Sequence, residues 1–524
     1  MSKKMKLCTN MKQENSRTEK AIKNTTIALC ELLSHSIMSF INRTVFIYIM
    51  GKTYLGLSGL FSDILTLLSL AELGVSSAIV YLMYDPAAKK EYEKVTALLN
   101  EYKKIYYIIG IFITIAGLFL IPFISFFISD IPELPELSFI YLLCLLNVSV
   151  GYFFIYKKSI LIIDQKSYVF SIIEIITKIL RNTLQIVFLL LTHNYIVYLI
   201  INIVCTLVSN ISISIYVNEK YSYLKEYKCA RIDKETQKAL WINVKAMFLS
   251  KLSSAIVTST DNILISKFVS TIILGFYSNY TLFVSLFRAV LGKLFDALTG
   301  SVGNMIALES REKIYQTFKK IWFMNYWLVS FSIISLFTLV NPFISLWIGD
   351  SYLLEGKVVF LICLNLYMRL IRNTFLTFID TYGLFVELRV KCIAEAIINL
   401  IASLLFVVPL HMGICGVLLG TFVSNILTNF WYEPYLLFVK KFDKELKNYF
   451  VIFFKYFITT MLSGLMIYYF CNYIICISGW SGFIIKGILC CVVINILFTI
   501  VYHKTIEFKC FIDIFRDKLL QHFL

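Results

Sequence analysis

Residues 321–347 read IWFMNYWLVSFSIISLFTLVNPFISLW, a run of 27 residues without a charged side chain. As an α-helix such a run reaches about 40 Å, which exceeds the roughly 30 Å of hydrocarbon in a bilayer. Similar runs recur along all 524 residues, of which 59% are hydrophobic and only 16% charged. Soluble domains are closer to one half apolar and one quarter charged. The pattern predicts an all-α integral membrane protein with about fourteen transmembrane helices.

The loops between these runs predict how the chain is oriented. Cytoplasmic loops of membrane proteins are enriched in Lys and Arg. If the N-terminus is cytoplasmic, 36 basic residues fall in cytoplasmic segments and 3 in the opposite loops. Both termini are therefore predicted to be cytoplasmic, and the net charge of +16 calls for no nucleic acid as a partner. The predicted spans are 24–50, 57–84, 104–127, 138–156, 169–191, 196–217, 246–268, 275–305, 321–347, 357–378, 389–409, 413–437, 451–474 and 483–503.

Short motifs recur in the same order about 220 residues apart. PFIS occurs at 122–125 and at 342–345, each time followed by Ile and Asp at the same spacing, and TxVSN occurs at 206–210 and 421–425. An even number of spans per repeat gives two halves of the same orientation, an architecture of transporters. The predicted divisions are a cytoplasmic basic tail (1–23), a six-helix half (24–217), a cytoplasmic linker (218–245), a second six-helix half (246–437), two extra transmembrane helices (438–503) and a cytoplasmic tail (504–524).

Charged residues inside the predicted spans are the candidate functional residues. Each would cost at least about 2.5 kcal/mol if it faced lipid at the bilayer centre, so they are expected to face protein or a watery cavity. The candidates for a cationic substrate cavity are Arg43, Lys178, Arg181, Lys251, Arg288, Arg369 and Arg372. The candidates for ion coupling or ion pairing are Asp63, Glu72, Glu174, Asp261, Asp296 and Glu395.

Spacing favours some of these charges over others. Glu174, Lys178 and Arg181 are 4 and 3 residues apart, on one stripe of a helix, and Glu174 with Lys178 is either an ion pair that fixes packing or part of the cavity. Arg369 and Arg372 lie one turn apart on a helix without a carboxylate, and therefore need an anion from elsewhere. Arginine suits bidentate contact with phosphate, so we expect Arg369 and Arg372 to bind an anionic substrate.

Several stretches resemble a known family. RTVF at 43–46, YLGL at 54–57, LLSLAELG at 67–74 and DQKSY at 164–168 resemble bacterial polysaccharide flippases of the O-antigen and capsule type. These belong to the multidrug, oligosaccharidyl-lipid and polysaccharide exporter superfamily. The resemblance implies a V-shaped bundle like that of the multidrug exporters, in the cytoplasmic membrane. It also implies transport of an undecaprenyl-diphosphate-linked oligosaccharide by alternating access, with possible coupling to protons or sodium. A polysaccharide polymerase and chain-length machinery would be partners.

Three other functions are alternatives to a polysaccharide flippase. A multidrug exporter of the same superfamily would usually have twelve spans, and its cationic drugs would be repelled by Arg369 and Arg372. A flippase for a lipid-linked peptidoglycan precursor is separated poorly by sequence, because it too is expected to have fourteen spans and a cationic cavity. A membrane enzyme, such as a glycan polymerase, generally needs large outer loops with basic residues, whereas the outer loops here are short. We therefore expect a transporter without enzymatic activity, cofactor or metal site.

Overall fold

The fold was analysed in a computed structural model, which describes residues 2–72, 75–128, 136–164, 166–471 and 479–510. The chain forms two compact units, Met1–Ser259 and Thr260–Leu524. The helices that begin in the first unit are α1 (Ser2–Leu68), α2 (Val75–Ala88), α3 (Tyr92–Leu120), α4 (Leu137–Tyr152), α5 (Lys158–Ile163), α6 (Ser167–Thr192), α7 (Tyr195–Lys220), α8 (Tyr223–Glu226) and α9 (Lys234–Phe268). Those of the second unit are α10 (Thr271–Leu308), α11 (Arg311–Ile348), α12 (Gly356–Leu370), α13 (Asn373–Thr381), α14 (Phe385–Val407), α15 (Gly413–Leu427), α16 (Asn429–Phe438), α17 (Leu446–Tyr469) and α18 (Gly479–Tyr502).

The predicted all-helical membrane bundle is confirmed. Among the described residues, eleven helical segments are long and apolar enough to cross a membrane. The predicted number, fourteen, differs because the first two predicted spans share one continuous segment, Ser34–Leu68, and because two more correspond to α9 and α10, which are not among the eleven. The chain is thus a multi-pass membrane protein.

Turn residues set the helix ends at the short loops. Gly51, where the first predicted loop begins, has φ 74° and ψ −167° and kinks α1. Such a backbone conformation is accessible mainly to glycine. The side chain of Asn194 accepts a hydrogen bond from the Ile196 amide at 2.8 Å and begins α7, and Ser270 caps α10 in the same way. Residues 129–135, most of the loop between the predicted spans 104–127 and 138–156, lie outside the described part.

Each unit shows the same order of helix neighbours. In the first unit α3 packs on α4, α4 on α7 and α6 on α7. In the second unit α11 packs on α12, α12 on α15 and α14 on α15. Counted by predicted spans, these are contacts of third with fourth, fourth with sixth and fifth with sixth in both units. The order of neighbours is what an internal six-span repeat would produce.

The repeated PFIS motif nevertheless has different local structure in the two units. At 122–125 it lies in a 3-10 helix, Ile121–Phe127, that follows α3. At 342–345 it lies inside α11, which includes Pro342 and continues to Ile348. Gly349, at φ 96°, then ends that helix. The repeat in sequence therefore does not extend to every helix end.

Helices α14 and α15 approach each other closely because α15 has glycines one turn apart. A Cβ atom on Gly420 would lie 2.6 Å from the backbone nitrogen of Ser403, and one on Gly416 would lie 3.0 Å from the carbonyl carbon of Phe406. Glycines four residues apart let two membrane helices bring their backbones together. This close contact fixes the positions of polar residues on both helices, which form part of the site described below.

The two C-terminal helices pack against α11. Tyr326 of α11 stacks on Tyr456 of α17, with ring centroids 4.0 Å apart, and on Phe498 of α18 at 5.5 Å. Trp322 and Tyr326 are fully buried in this cluster. Aromatic pairs of this kind contribute beyond their buried area. The extra helices are thus integral to the second unit.

Candidate functional site

A network of four charged side chains lies in the core of the second unit. Arg372 donates two hydrogen bonds to the carboxylate of Glu433, from Nε at 2.9 Å and from Nη2 at 2.5 Å. Lys391 donates to the same carboxylate at 2.9 Å and lies 3.3 Å from Glu395. Glu433 is 0% exposed. Two cations and two carboxylates therefore neutralise each other in a buried position.

This network changes the interpretation of Arg372. The anion that Arg372 needs is an internal one, Glu433 of α16, so the arginine is not free to bind a substrate phosphate. The space beside Arg372 and Glu433 has a volume of about 10 Å³, which holds at most about one water molecule. Arg372 thus serves packing between α12, α13 and α16. Its role in substrate binding stays a prediction, and it requires that the ion pair with Glu433 open.

Two members of the network were missed from the sequence. Glu433 is the single charged residue within the predicted span 413–437, and that isolation is the signal that could have identified it. Lys391 was counted among the cytoplasmic charges, although the predicted span 389–409 begins before it; it lies within α14 and is 8% exposed. Glu395, predicted as a coupling or ion-pairing residue, is an ion-pairing residue here and also accepts a hydrogen bond from Asn429 at 2.7 Å.

Arg288 and Arg369 are cations of the same unit that are placed differently. Neither makes a hydrogen bond or an ion pair with a residue that the structure describes. Each is partly exposed, on α10 and α12 respectively. Helices α10 and α12 are in contact. The second unit therefore presents two arginines, on neighbouring helices, whose charges are not directly paired within the described part of the chain.

Three polar residues spaced 4 and 3 apart on α12 and just after it, Asn365, Arg369 and Arg372, differ in their partners. Asn365 donates a hydrogen bond to the carbonyl oxygen of Leu418 at 2.8 Å and so ties α12 to α15. Arg372 pairs with Glu433, as described above. Arg369, between them in the sequence, is the member that keeps an unpaired guanidinium.

Two members of the predicted charge stripe of the first unit, Glu174 and Lys178, are neutralised within the protein. Lys178 lies 2.9 Å from Glu174 and 2.8 Å from Glu31, and Lys158 lies 2.5 Å from Glu174. Two lysines thus face two glutamates, which favours the structural alternative for Glu174 with Lys178. Arg181, in the same stripe, donates to the amide oxygen of Asn202 at 3.2 Å.

The remaining candidates lie on α1, α9 and α10 and, for Glu72, just after α1. Glu72 accepts a hydrogen bond from the hydroxyl of Tyr106 at 2.8 Å. Arg43 and Asp63 are both partly exposed on α1, on either side of the kink at Gly51. The side chain of Lys251 on α9, and that of Asp296 on α10, lie outside the described part of the chain.

Asp261 lies in a separate polar site formed by α9, α14 and α15. Its Oδ2 accepts a hydrogen bond from the Thr421 hydroxyl at 2.6 Å, and the Asn399 amide donates to that hydroxyl at 3.0 Å. Oδ1 of Asp261 and Oδ1 of Asn399 are both buried without a hydrogen-bond partner among the described residues. A buried carboxylate without a cation is costly. Among the described residues the site therefore offers two buried oxygens without a hydrogen-bond partner, which are suitable for binding a proton or a small cation.

Comparison with known proteins gives relatives in structure only. No family model matches the chain, and no curated protein matches by sequence. A structure described as the lipid II flippase MurJ in an inward closed conformation is similar at 18% identity, with a TM-score of 0.66 over 92% of this chain and 99% of that one. An inward-facing multidrug resistance MATE family transporter of the MOP superfamily is similar at 14% identity, with a TM-score of 0.61 over 76% and 93%. A mutant of the Vibrio cholerae MATE transporter VcmN is similar at 16% identity, with a TM-score of 0.58 over 80% and 97%.

These similarities establish the fold. The chain has the fold of these three proteins, which are described as a lipid II flippase and as MATE transporters. The similarity to the flippase extends over more of this chain than that to either MATE transporter.

Proposed function

We propose that the protein is a flippase that carries an undecaprenyl-diphosphate-linked oligosaccharide across the cytoplasmic membrane by alternating access, for the synthesis of a surface polysaccharide. A polar headgroup of this size cannot cross hydrocarbon unaided, because each unsatisfied polar group costs several kcal/mol. The observation that carries the proposal is the pair Arg288 and Arg369, which lie in predicted membrane spans and have no ion-pair partner among the described residues. An anionic diphosphate would supply the missing charge.

The decisive experiment compares two variants on the same unit. R288Q together with R369Q should fold and reach the membrane like the parent, but should lose most transport of the lipid-linked oligosaccharide into the outer leaflet of sealed vesicles. The control is K293Q, which removes an exposed charge from the same helix as Arg288. The readout is the fraction of glycan accessible to a membrane-impermeant lectin. Full transport by the double variant would refute the proposal.

The alternative with a specific observation in its favour is a flippase for a lipid-linked peptidoglycan precursor. The similarity to a lipid II flippase covers 92% of this chain. Both substrates combine a polyprenyl chain, a diphosphate and a glycan, so the arginine pair fits either. Deletion of the gene separates them: loss of surface polysaccharide with normal growth supports our proposal, whereas accumulation of peptidoglycan precursors and lysis supports the alternative.

A multidrug exporter is the remaining alternative. If Arg288 and Arg369, which have no ion-pair partner among the described residues, face the transport pathway, they would repel cationic drugs, and this argues against a multidrug exporter. Loss of the gene would then raise sensitivity to cationic compounds and leave every surface glycan unchanged.

We further propose that transport is coupled to a proton or sodium gradient through Asp261. The buried carboxylate supports this role, because Oδ1 of Asp261 and the neighbouring Oδ1 of Asn399 have no hydrogen-bond partner among the described residues. D261N should remove the dependence of transport on the coupling gradient, because the neutral amide neither releases a proton nor attracts a cation. E174Q is the comparison, since Glu174 is already paired with two lysines. If D261N still responds to imposed sodium and pH gradients like the parent, Asp261 is not the coupling residue.

A further inference from the structure

A groove of about 630 Å³ lies within the first unit, on the side of α3 that faces the N-terminal part of α9. This volume is in the range of ligand pockets, of which about 300–1,000 Å³ is typical. None of the candidate residues described above lines the groove. Its walls comprise Val75, Glu101, Lys104, Ile105, Ile108, Ile109, Gln237, Trp241, Val244, Lys245 and Phe248.

The groove is polar at one end and apolar at the other, most clearly along α3. On α3 the polar residues Glu101 and Lys104 precede the isoleucines at 105, 108 and 109. On α9, Gln237 and Lys245 precede Phe248, with Trp241 and Val244 between the two polar residues. The loop charges predict that both helices run from the cytoplasm into the membrane. The two polar ends therefore lie at the cytoplasmic surface and the apolar ends at the depth of the lipid chains.

The linker that leads into α9, the second wall of the groove, is attached to α3. Nδ2 of Asn100 donates hydrogen bonds to the carbonyl oxygens of Lys228 and Ala230, both at 3.0 Å. The rings of Tyr92 and Tyr223 stack with centroids 4.5 Å apart. These contacts hold the linker between α7 and α9 against the cytoplasmic end of α3, so the groove is a feature of the fold.

The charges at the polar end favour an anion. Lys104 and Lys245 are exposed, and neither pairs with a described residue, while Glu101 is the single carboxylate lining the groove. Trp241 is 44% exposed, and tryptophan prefers the level of the lipid headgroups. Basic residues at the cytoplasmic surface attract anionic lipid by about 1 kcal/mol each.

We infer that this groove binds one anionic phospholipid of the inner leaflet, with its headgroup at Lys104 and Lys245 and an acyl chain along the isoleucines of α3 and Phe248. The site lies apart from the arginines of the second unit and does not depend on the proposed function. A bound lipid would hold the linker segment on α3 during transport.

The test uses the tryptophan of the groove as a probe. The full chain is placed in phosphatidylcholine nanodiscs that contain phosphatidylglycerol with brominated acyl chains, which quench nearby tryptophan. The signal of Trp241 is the difference between the parent and W241F. We expect brominated phosphatidylglycerol to quench this signal more strongly than brominated phosphatidylcholine at the same mole fraction. The variants K104Q and K245Q should each weaken the apparent affinity about five-fold, which corresponds to about 1 kcal/mol.

The matched control is K94Q, which removes a lysine from the same helix, outside the groove, where it pairs with Glu91 at 2.7 Å. An equal effect of K94Q and K104Q would show general surface attraction and overturn the site. Equal quenching by the two brominated lipids, or no quenching of Trp241, would also overturn it. Displacement of the brominated lipid by equimolar undecaprenyl phosphate would assign the groove to the transported lipid instead.

Discussion

At the scale of single residues, two arginines three positions apart in the sequence differ in whether their charge is paired within the protein. Arg372 is bound by Glu433 and belongs to a neutral buried network, whereas Arg369 lacks such a partner among the described residues. Replacing both together, as the sequence suggested, would mix a loss of folding with a loss of transport. Arg369 should therefore be tested with Arg288, and Arg372 should be tested for stability.

Replacing Glu433 should destabilise the second unit strongly. In E433Q the charges of Arg372 and Lys391 would remain buried with one carboxylate fewer, and removal of one partner from a buried ion pair costs about 3–5 kcal/mol. The measurement is the unfolding transition of the purified protein in detergent. E309Q is the control, because Glu309 forms an exposed pair with Lys313 whose loss costs about 1 kcal/mol or less. Equal transitions for E433Q and the parent would contradict the network.

At the scale of helices, close packing of α14 on α15 positions the polar groups of the second unit. Thr421 of α15 reaches both Asp261 and Asn399, and Asn425 accepts a hydrogen bond from Arg372 at 3.3 Å. Both residues lie just beyond the glycines at which the two backbones meet. The glycine spacing of α15 is thus a structural requirement for the Asp261 site and for the buried network.

Enlarging Gly420 should separate α14 from α15. In G420V the new side chain would meet the backbone of Ser403, and overpacking of this kind costs about 1–3 kcal/mol. G487V on α18 is the matched control, because a Cβ there meets nothing within 4 Å. We expect a lower unfolding temperature and weaker gradient dependence of transport for G420V alone. The packing argument fails if the two valine variants unfold at the same temperature.

At the scale of the whole molecule, the charge distribution of the loops predicts the orientation in the membrane. Of the 49 Lys and Arg residues, 36 lie in segments assigned to the cytoplasm. The structure supplies helix ends at the corresponding loops, such as His193 at φ 49° after α6 and the Asn194 cap of α7. Helix ends alone do not distinguish inside from outside, so orientation remains a prediction.

Cysteine labelling would test this orientation. In a variant that retains only Cys229, in the predicted cytoplasmic linker, an impermeant maleimide should react after the membrane is opened but not in intact cells. A cysteine introduced by N194C into an otherwise cysteine-free chain should react in intact cells, because Asn194 lies in a predicted outer loop. Both positions are exposed in the structure. The reverse pattern would invert the predicted topology and place the phospholipid groove in the outer leaflet.

The sequence by itself determined the class of fold, because apolar runs of membrane length and short polar loops are local features. It also located the charges at membrane depth, since each stands out against an apolar background. Only the tertiary structure decided which of these charges are neutralised. Arg372 meets Glu433 across 61 residues, and Lys178 meets Glu31 across 147, so neither pair follows from spacing along one helix. The lack of an ion-pair partner for Arg288 and Arg369 among the described residues also depends on which helices become neighbours, as does the groove between α3 and α9. Helical periodicity alone does not specify these neighbours.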